Sequence, residues 1–231
     1  GTTMGMTGEI VSSEFNLSRE QSDAYAVRSH ALASAAWQNG WLASEVFEME
    51  ELKSDQGIRI GTNMDDLANL RAVFKENGQI TAGNSSQLSD GASAVLVCSQ
   101  KTAVEHGWPV LAEILDYTTT GVEPKRVMIA PVSAVEDLLE KNDLDIMDID
   151  ILEHNEAFAA ASVAVQMSLK VPEDRFNVHG GAVALGHPLG STGTRCLMTT
   201  INALNRTGGR KGIVTICLGG GNAVAMLIER K

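Results

Sequence analysis

The chain has 231 residues, of which 44% are hydrophobic and 20% charged, and its formal net charge is −11. That is enough apolar material to bury a sizeable core. With 18 Lys and Arg among 29 acidic residues there is no broad basic face, which excludes a nucleic acid or an anionic membrane surface as the main partner and leaves room only for a small anionic ligand met by a local cation.

In chain order, the opening "GTTMGMTGE" reads as neither a helix cap nor a strand. "LSREQSDAYAVRSHALASAAWQ" begins with Ser18 and Gln21 spaced as a capping box, and Ala24, Val27, Ala31 and Ala35 recur at helical period, which predicts a closely packed helix. The polar stretch 47–74 reads as a surface excursion, with a turn at Asp55 to Gly57 and a short helix from Asp65. After "TAGNSSQLSDGA", the run "SAVLVCS" predicts a buried strand and "KTAVEHG" a short helix closed by Gly107, with His106 in its last turn.

From residue 109 strands and helices alternate. "PVLAEILDYTT" predicts a strand, "VSAVEDLLEKN" a helix opened by Ser133, "DIDILEHN" a strand, and "EAFAAASVAVQMSL" and "TGTRCLMTTINALNRTG" helices, and "KGIVTICLGGGNAVAMLIERK" gives two strands around a triple glycine. Such alternation implies an α/β fold, a layered α-β-α sheet with helices over both faces. No apolar run approaches the ~20 residues of a membrane-spanning helix.

Three turn-rich points follow apolar strands: "EHNEAF", "GGAVALGHPLG" and "CLGGG". Loops at strand ends are where α/β sheets gather functional groups, so Asn155, His187 and Cys217 are candidates for one pocket. Each also has a plainer reading. Cys217 at the end of an apolar strand can be a small core hydrophobe, His187 a turn residue bonded to backbone, and Asn155 the N-cap of the helix that follows. The glycines match neither a phosphate-binding Walker pattern nor a dinucleotide fingerprint. Cys98, Cys196 and Cys217 show no metal or disulfide spacing, which fits a reducing cytoplasm.

In this order, "NEAFA", "GGAVALGHPLGSTGTR" and "CLGGG" resemble the C-terminal motif set of the thiolase family. "TAGNSSQLSDGA" and "MGMTGE…LSREQSDAYAVRSH" resemble that family's loop domain. The resemblance implies an acyl-CoA C-acyltransferase that makes or breaks the carbon–carbon bond of a 3-oxoacyl-CoA. No metal or other cofactor is expected, with acetyl-CoA or acyl-CoA as substrate. It implies residues 1–89 as a partial, mostly helical loop domain, 90–108 as a strand and helix of the N-terminal domain's sheet, and 109–231 as the layered C-terminal domain.

By the same resemblance Cys217 is the acid/base, His187 activates the nucleophile and donates into an oxyanion hole, Asn155 holds the water that completes that hole, and the Gly219 N–H belongs to the other hole. Coenzyme A contacts fall to Arg59, Ser86, Leu88, Ala157, Phe158 and Met4. Several features depart from the family pattern. The excursion from Val46 to Arg59 is short, Thr3 stands where many members have a histidine, and "RVMIAPVSA" lacks a glycine ahead of its proline. No segment resembles the one carrying the family's first, nucleophilic cysteine, and mid-strand Cys98 has no glycine turn or helix end to activate it. The expectation is therefore a chain without its N-terminal nucleophile domain, inactive by itself and exposing an apolar sheet edge. Such a chain is either a fragment of a longer enzyme that forms homo-oligomers or a subunit completed by a chain carrying that domain. The alternative is a non-catalytic coenzyme A-binding or partner module of the same fold.

Overall fold

The computed structural model describes residues 2–49 and 51–231. Four strands form one sheet: β1 (Ala112–Gly121), β2 (Ile151–His154), β3 (Lys211–Leu218) and β4 (Asn222–Arg230), in the order β1-β4-β3-β2. β3 and β4 form a hairpin across the triple glycine, β1 pairs antiparallel with β4, and β2 runs parallel to β3 with Ile151 opposite Gly212 and His154 opposite Thr215. This parallel pair matters most for the site, because its two C-terminal ends emerge side by side.

The helices are α1 (Met4–Glu14), α2 (Arg19–Gln38), α3 (Met64–Ala68), α4 (Gln100–His106), α5 (Ala130–Lys141), α6 (Ala159–Leu169), α7 (Ala182–Leu185) and α8 (Thr192–Thr207). Alternation along the strands decides which helix covers which face. Ile151, Val214, Ile216 and Ile228 pack with Leu197 and Leu204 of α8, while Leu152, Ile213, Ala225 and Leu227 pack with Leu138 of α5 and Val165 of α6. The layered α-β-α reading therefore holds. Helices α1 and α2 lie outside α6, in contact with it.

Several expectations need correction. The opening stretch is a helix, α1, whose buried side is Gly5, Thr7, Gly8, Glu9, Val11 and Ser12. Too few of those residues are apolar to print a helical period, and the Thr3 side chain makes no capping bond. Helix α2 begins as predicted: Gln21 N–H donates to Ser18 Oγ at 3.2 Å, and Ser18 N–H to Gln21 Oε1 at 2.8 Å. Its buried residues, however, are Ser22, Asp23, Tyr25, Ala26, Ser29, His30, Ala33 and Ala36, not the alanine series read from the sequence. Helix α5 starts at Ala130, ahead of Ser133, whose hydroxyl donates to the Ala130 carbonyl from inside the first turn.

The strand expected at 93–99 does not form. Val95, Leu96 and Val97 are exposed, as is Cys98, because no strand among the described residues lies beside them to complete a ladder. Trp108, Val110, Leu111 and Tyr117 continue this exposed apolar surface onto the edge strand β1. The helix after it, α4, forms as read, with Gly107 closing it in the left-handed conformation.

The capping box gives a direct check on α2. Ser18→Ala removes the side-chain acceptor and should lower stability by about 1 kcal/mol, read as a lower urea midpoint at unchanged slope. An unaltered midpoint would show that tertiary contacts alone hold the start of α2.

Candidate active site

The register of β2 against β3 places the first group. Asn155 continues β2 by one residue, its N–H donating to the Thr215 carbonyl at 3.1 Å, so its side chain stands at the C-terminal end of the sheet. Asn155 is fully buried and does not cap α6, whose N-cap is Phe158 with no side-chain bond. Its Nδ2 lies 3.3 Å from His187 Nε2, and its Oδ1 is buried with no partner among the described residues. A buried amide oxygen left open beside an imidazole is a site for an added donor.

His187 is delivered by the loop between α7 and α8. Gly186 precedes it at φ +93°, and a side chain there would also strike Ser89 Oγ at 2.1 Å, so only glycine serves. His187 Nδ1 lies 2.6 Å from Thr192 Oγ1, in the first turn of α8. The Thr192 hydroxyl is also placed to donate to the Pro188 carbonyl at 2.9 Å, and in doing so it accepts from the ring. With the Asn155 amide nitrogen as donor toward Nε2, this arrangement puts the ring proton on Nδ1 and leaves the Nε2 lone pair facing Asn155. Burial, helped by the charge of Arg195, pushes the imidazole below its ordinary value, which keeps it neutral near pH 7.

Beneath this pair lies a residue that the sequence reading passed over. Glu156 is fully buried, and its two carboxyl oxygens collect four donors: the Tyr25 hydroxyl at 2.9 Å and Asn177 Nδ2 at 3.0 Å on Oε1, the Ser29 hydroxyl at 2.7 Å and the Val183 N–H at 3.1 Å on Oε2. Gly181 makes room for it, since an added Cβ would sit 2.4 Å from the carboxyl carbon. The donors come from α2, from the segment after α6 and from α7, so Glu156 ties the Asn155 turn to the helix that leads into His187. The clue in the sequence was an acid inside an otherwise apolar stretch after β2.

Cys217 is the seventh residue of β3, two beyond Thr215, and is half-buried against the cluster formed by Val127, Met128, Ala157 and Phe158. Burial pushes its thiol up to about 11. Gly219 is exposed in the turn that follows, and a Cβ built on it meets no protein atom within 4 Å. The other cysteines are placed elsewhere. Cys196 is fully buried in α8 among Leu197, Val214 and Ile216, and Cys98 is on the exposed apolar stretch. No helix among the described residues is long and apolar enough to cross a membrane, and no group of metal-ligating side chains is present among them.

Residues 108–230 match the family model described as the thiolase C-terminal domain, and residues 1–101 match the model of the thiolase N-terminal domain. The chain belongs to the thiolase family. It is 40% identical to the peroxisomal 3-ketoacyl-CoA thiolase 5 of Arabidopsis thaliana, covering 98% of this chain and 53% of that protein. It is also 40% identical to an acetyl-CoA acetyltransferase of Pseudomonas aeruginosa, covering 60% of it. Among solved structures, human mitochondrial 3-ketoacyl-CoA thiolase in complex with CoA superposes with a TM-score of 0.96 at 37% identity, and Bacillus anthracis acetyl-CoA acetyltransferase with 0.94 at 38%. These alignments cover 99% of this chain and 59–60% of the structures' chains. The expectation of a thiolase chain without its N-terminal domain is thereby overturned, because residues 1–101 belong to that domain's model. The chain nonetheless spans a little over half the length of the thiolases it matches.

The residues expected to meet coenzyme A separate into two groups. Ser86 N–H donates to the Ala157 carbonyl at 3.0 Å, Ser85 bridges to Phe158, and the Phe158 ring meets Phe74 edge-on, so Ser86, Ala157 and Phe158 form one patch next to Asn155. The same strap continues through Gln87, whose carbonyl accepts the His187 N–H at 3.3 Å, to a fully exposed Leu88. Met4 is half-exposed at the start of α1, where its neighbour Gly5 lies against Phe74. Arg59 stands apart on the surface excursion, exposed, with its N–H donating to His30 Nδ1 at 3.1 Å and no carboxylate partner among the described residues.

Thr192→Val tests the assigned tautomer, since it keeps the side chain's shape and removes the acceptor. The 15N spectrum of His187 should lose its dominant Nδ1–H form, and stability should fall by roughly 1–3 kcal/mol as a buried N–H goes unpaired. A spectrum identical to that of the unaltered chain would place the determinant of the ring elsewhere.

Proposed function

We propose that this chain supplies the histidine, asparagine and acid/base cysteine of an acyl-CoA C-acyltransferase that cleaves 3-oxoacyl-CoA or condenses two acyl-CoA thioesters. The observation that carries the reading is the contact of Asn155 Nδ2 with a His187 Nε2 whose proton is held on the other nitrogen, at the C-terminal ends of two adjacent parallel strands. The nucleophile is a cysteine outside these 231 residues, in the same polypeptide or in another. Cys98 and Cys196 lie away from the site, and Cys217 takes the second role.

In cleavage, the neutral His187 accepts the nucleophile's proton at Nε2 and, once protonated, donates to the oxygen of the thioester or ketone under attack. The open Asn155 Oδ1 orients a water as a further donor. Attack on the 3-oxo carbonyl gives a tetrahedral adduct, whose collapse breaks the carbon–carbon bond, leaves the acyl group on the nucleophile and sends the electron pair to the α-carbon of the departing acetyl-CoA. Cys217 protonates that carbon. A thiol held near 11 is protonated at neutral pH and ready to give its proton up. A second coenzyme A thiol then removes the acyl group. The Gly219 N–H stabilises the enolate oxygen, a contribution of about 3 kcal/mol for a donor of this kind. The adenine nucleotide end lies toward Arg59, the one group in the set that offers an anion a cation, and the pantetheine arm runs along Ser86, Leu88, Ala157, Phe158 and Met4. The free cysteines fit a reducing compartment such as the cytoplasm.

The test mixes the purified chain with a polypeptide carrying the remaining N-terminal part of a thiolase and follows thiolysis of acetoacetyl-CoA. The chain alone should be inert and the mixture active. Cys217→Ala should lower kcat by roughly 10²–10⁴-fold, with a smaller effect on the KM for coenzyme A. In the condensing direction Cys217 must first lose its proton, so that rate should climb from pH 7 to pH 9. Turnover by the chain alone refutes an outside nucleophile, and full activity in the mutant mixture refutes the role given to Cys217.

A further inference from the structure

The Asn155–His187–Thr192 chain is not the only link between the end of β2 and the start of α8. We propose that Glu153 and Arg195 are positioning residues for His187: they form a second bridge between β2 and α8, alongside the first, that fixes where the imidazole sits. Arg195 Nη1 donates to Glu153 Oε1 at 2.7 Å, with Glu153 1% exposed and the Arg195 side chain 18%. The spacing makes the two bridges parallel. Glu153 and Asn155 are two residues apart along β2 and its continuation, on the face where Ile151 meets α8. Thr192 and Arg195 are three apart in α8 and share a face of that helix.

A buried ion pair is a costly way to join a strand to a helix, and apolar side chains of similar volume usually do it as well. This pair is also incompletely matched, because the contact is made through one nitrogen only. Arg195 Nη2 and Glu153 Oε2 are buried with no partner among the described residues. Arg195 therefore keeps a buried donor nitrogen that Glu153 does not take. Burial is the larger cause of the low His187 value and Arg195 is the second. The other titratable groups around the pair are Cys196 on α8, Glu156 after β2, and Glu45 and Asp55 from the segment ahead of α3. A bridge of this kind holds imidazole, amide and hydroxyl in register and disfavours a second positive charge on His187 until substrate supplies an oxyanion. The consequence for catalysis rests on the thiolase reading above; the consequence for the imidazole does not.

The experiment follows the His187 ring by NMR titration of the histidine-labelled chain, with Asn155 and Thr192 unaltered. Arg195→Met removes the positive charge and should raise the titration midpoint by roughly half a pH unit or more. Burial pushes the Glu153 carboxyl up to about 8, so where His187 titrates Glu153→Gln changes the charge of the pair little and should leave the midpoint near the unaltered value. Arg195→Lys keeps the charge and should stay near the unaltered value. Because losing one member of a buried pair can unfold a protein, Glu153→Gln combined with Arg195→Met is measured as well; it carries neither charge and should rise as Arg195→Met does. If the single variants do not fold, the double variant against Arg195→Lys decides. A midpoint unmoved in Arg195→Met or in the double variant overturns the proposal, and so do single variants that shift the midpoint in the same direction. Assays on the assembled enzyme keep the two readings apart. Expected midpoint shifts with no thioester turnover by the assembly that carries the unaltered chain would refute the thiolase reading and leave the bridge standing. Normal turnover with unmoved midpoints would do the reverse.

Discussion

Glu156 is the constraint from which the site follows. A carboxyl group with no exposed surface has lost its water and needs donors from the protein, and one strand or helix cannot supply four. The chain brings Tyr25 and Ser29 from one turn and the next of α2, Asn177 from a residue held at positive φ, and the Val183 N–H from the start of α7. Satisfying that one group fixes the height of α2 over the sheet, the path of the chain after α6, and the start of the loop that ends in His187. Asn155 is adjacent to it in sequence, so the two side chains of the candidate site are both placed by a residue whose own carboxylate hydrogen-bonds to other groups.

The same requirement explains what the sequence could and could not disclose. Regular α/β alternation after residue 109 was legible because most strands and helices there bury apolar residues, the largely exposed β1 being the exception. Helix α8, with Cys196, Leu197, Ala203 and Leu204 inward, is the clearest case. Helices α1 and α2 hid their orientation because the faces they bury carry polar groups: Ser29 bonds to Glu156 and the Gly181 N–H, Glu9 accepts from the 79–80 backbone, and Thr7 and Ser22 donate to carbonyls of Met4 and Ser18. A hydrophobic pattern cannot show a face held by hydrogen bonds. The stretch 93–99 failed for a different reason. Its composition is that of a strand, but a strand exists only beside another, and pairing is not a property of one segment.

Within the site, residue types were readable and contacts were not. Asn155, His187 and Cys217 stand out in turn-rich motifs. Thr192, Glu153, Arg195 and Glu156 looked like an ordinary helix start, a strand residue, a surface charge and a helix-start acid. Their roles come from spacing across two elements, two residues on a strand facing three on a helix, which emerges only when the elements are laid against each other. The expected N-cap role of Asn155 failed on the same ground, because the partner that claims its side chain is 32 residues away in sequence.

The three glycines after Leu218 answer to different demands. Gly220 and Gly221 have φ near +90°, and an added Cβ on Gly221 would lie 2.3 Å from the Val122 carbonyl oxygen, so geometry within the chain dictates them. Gly219 meets nothing. A screen that ranks substitutions by melting temperature or expression level is thus blind at 219 while sensitive at its two neighbours. Any selection observed at that position measures what approaches the turn from outside the polypeptide, which makes it a reporter for encounter uncoupled from folding.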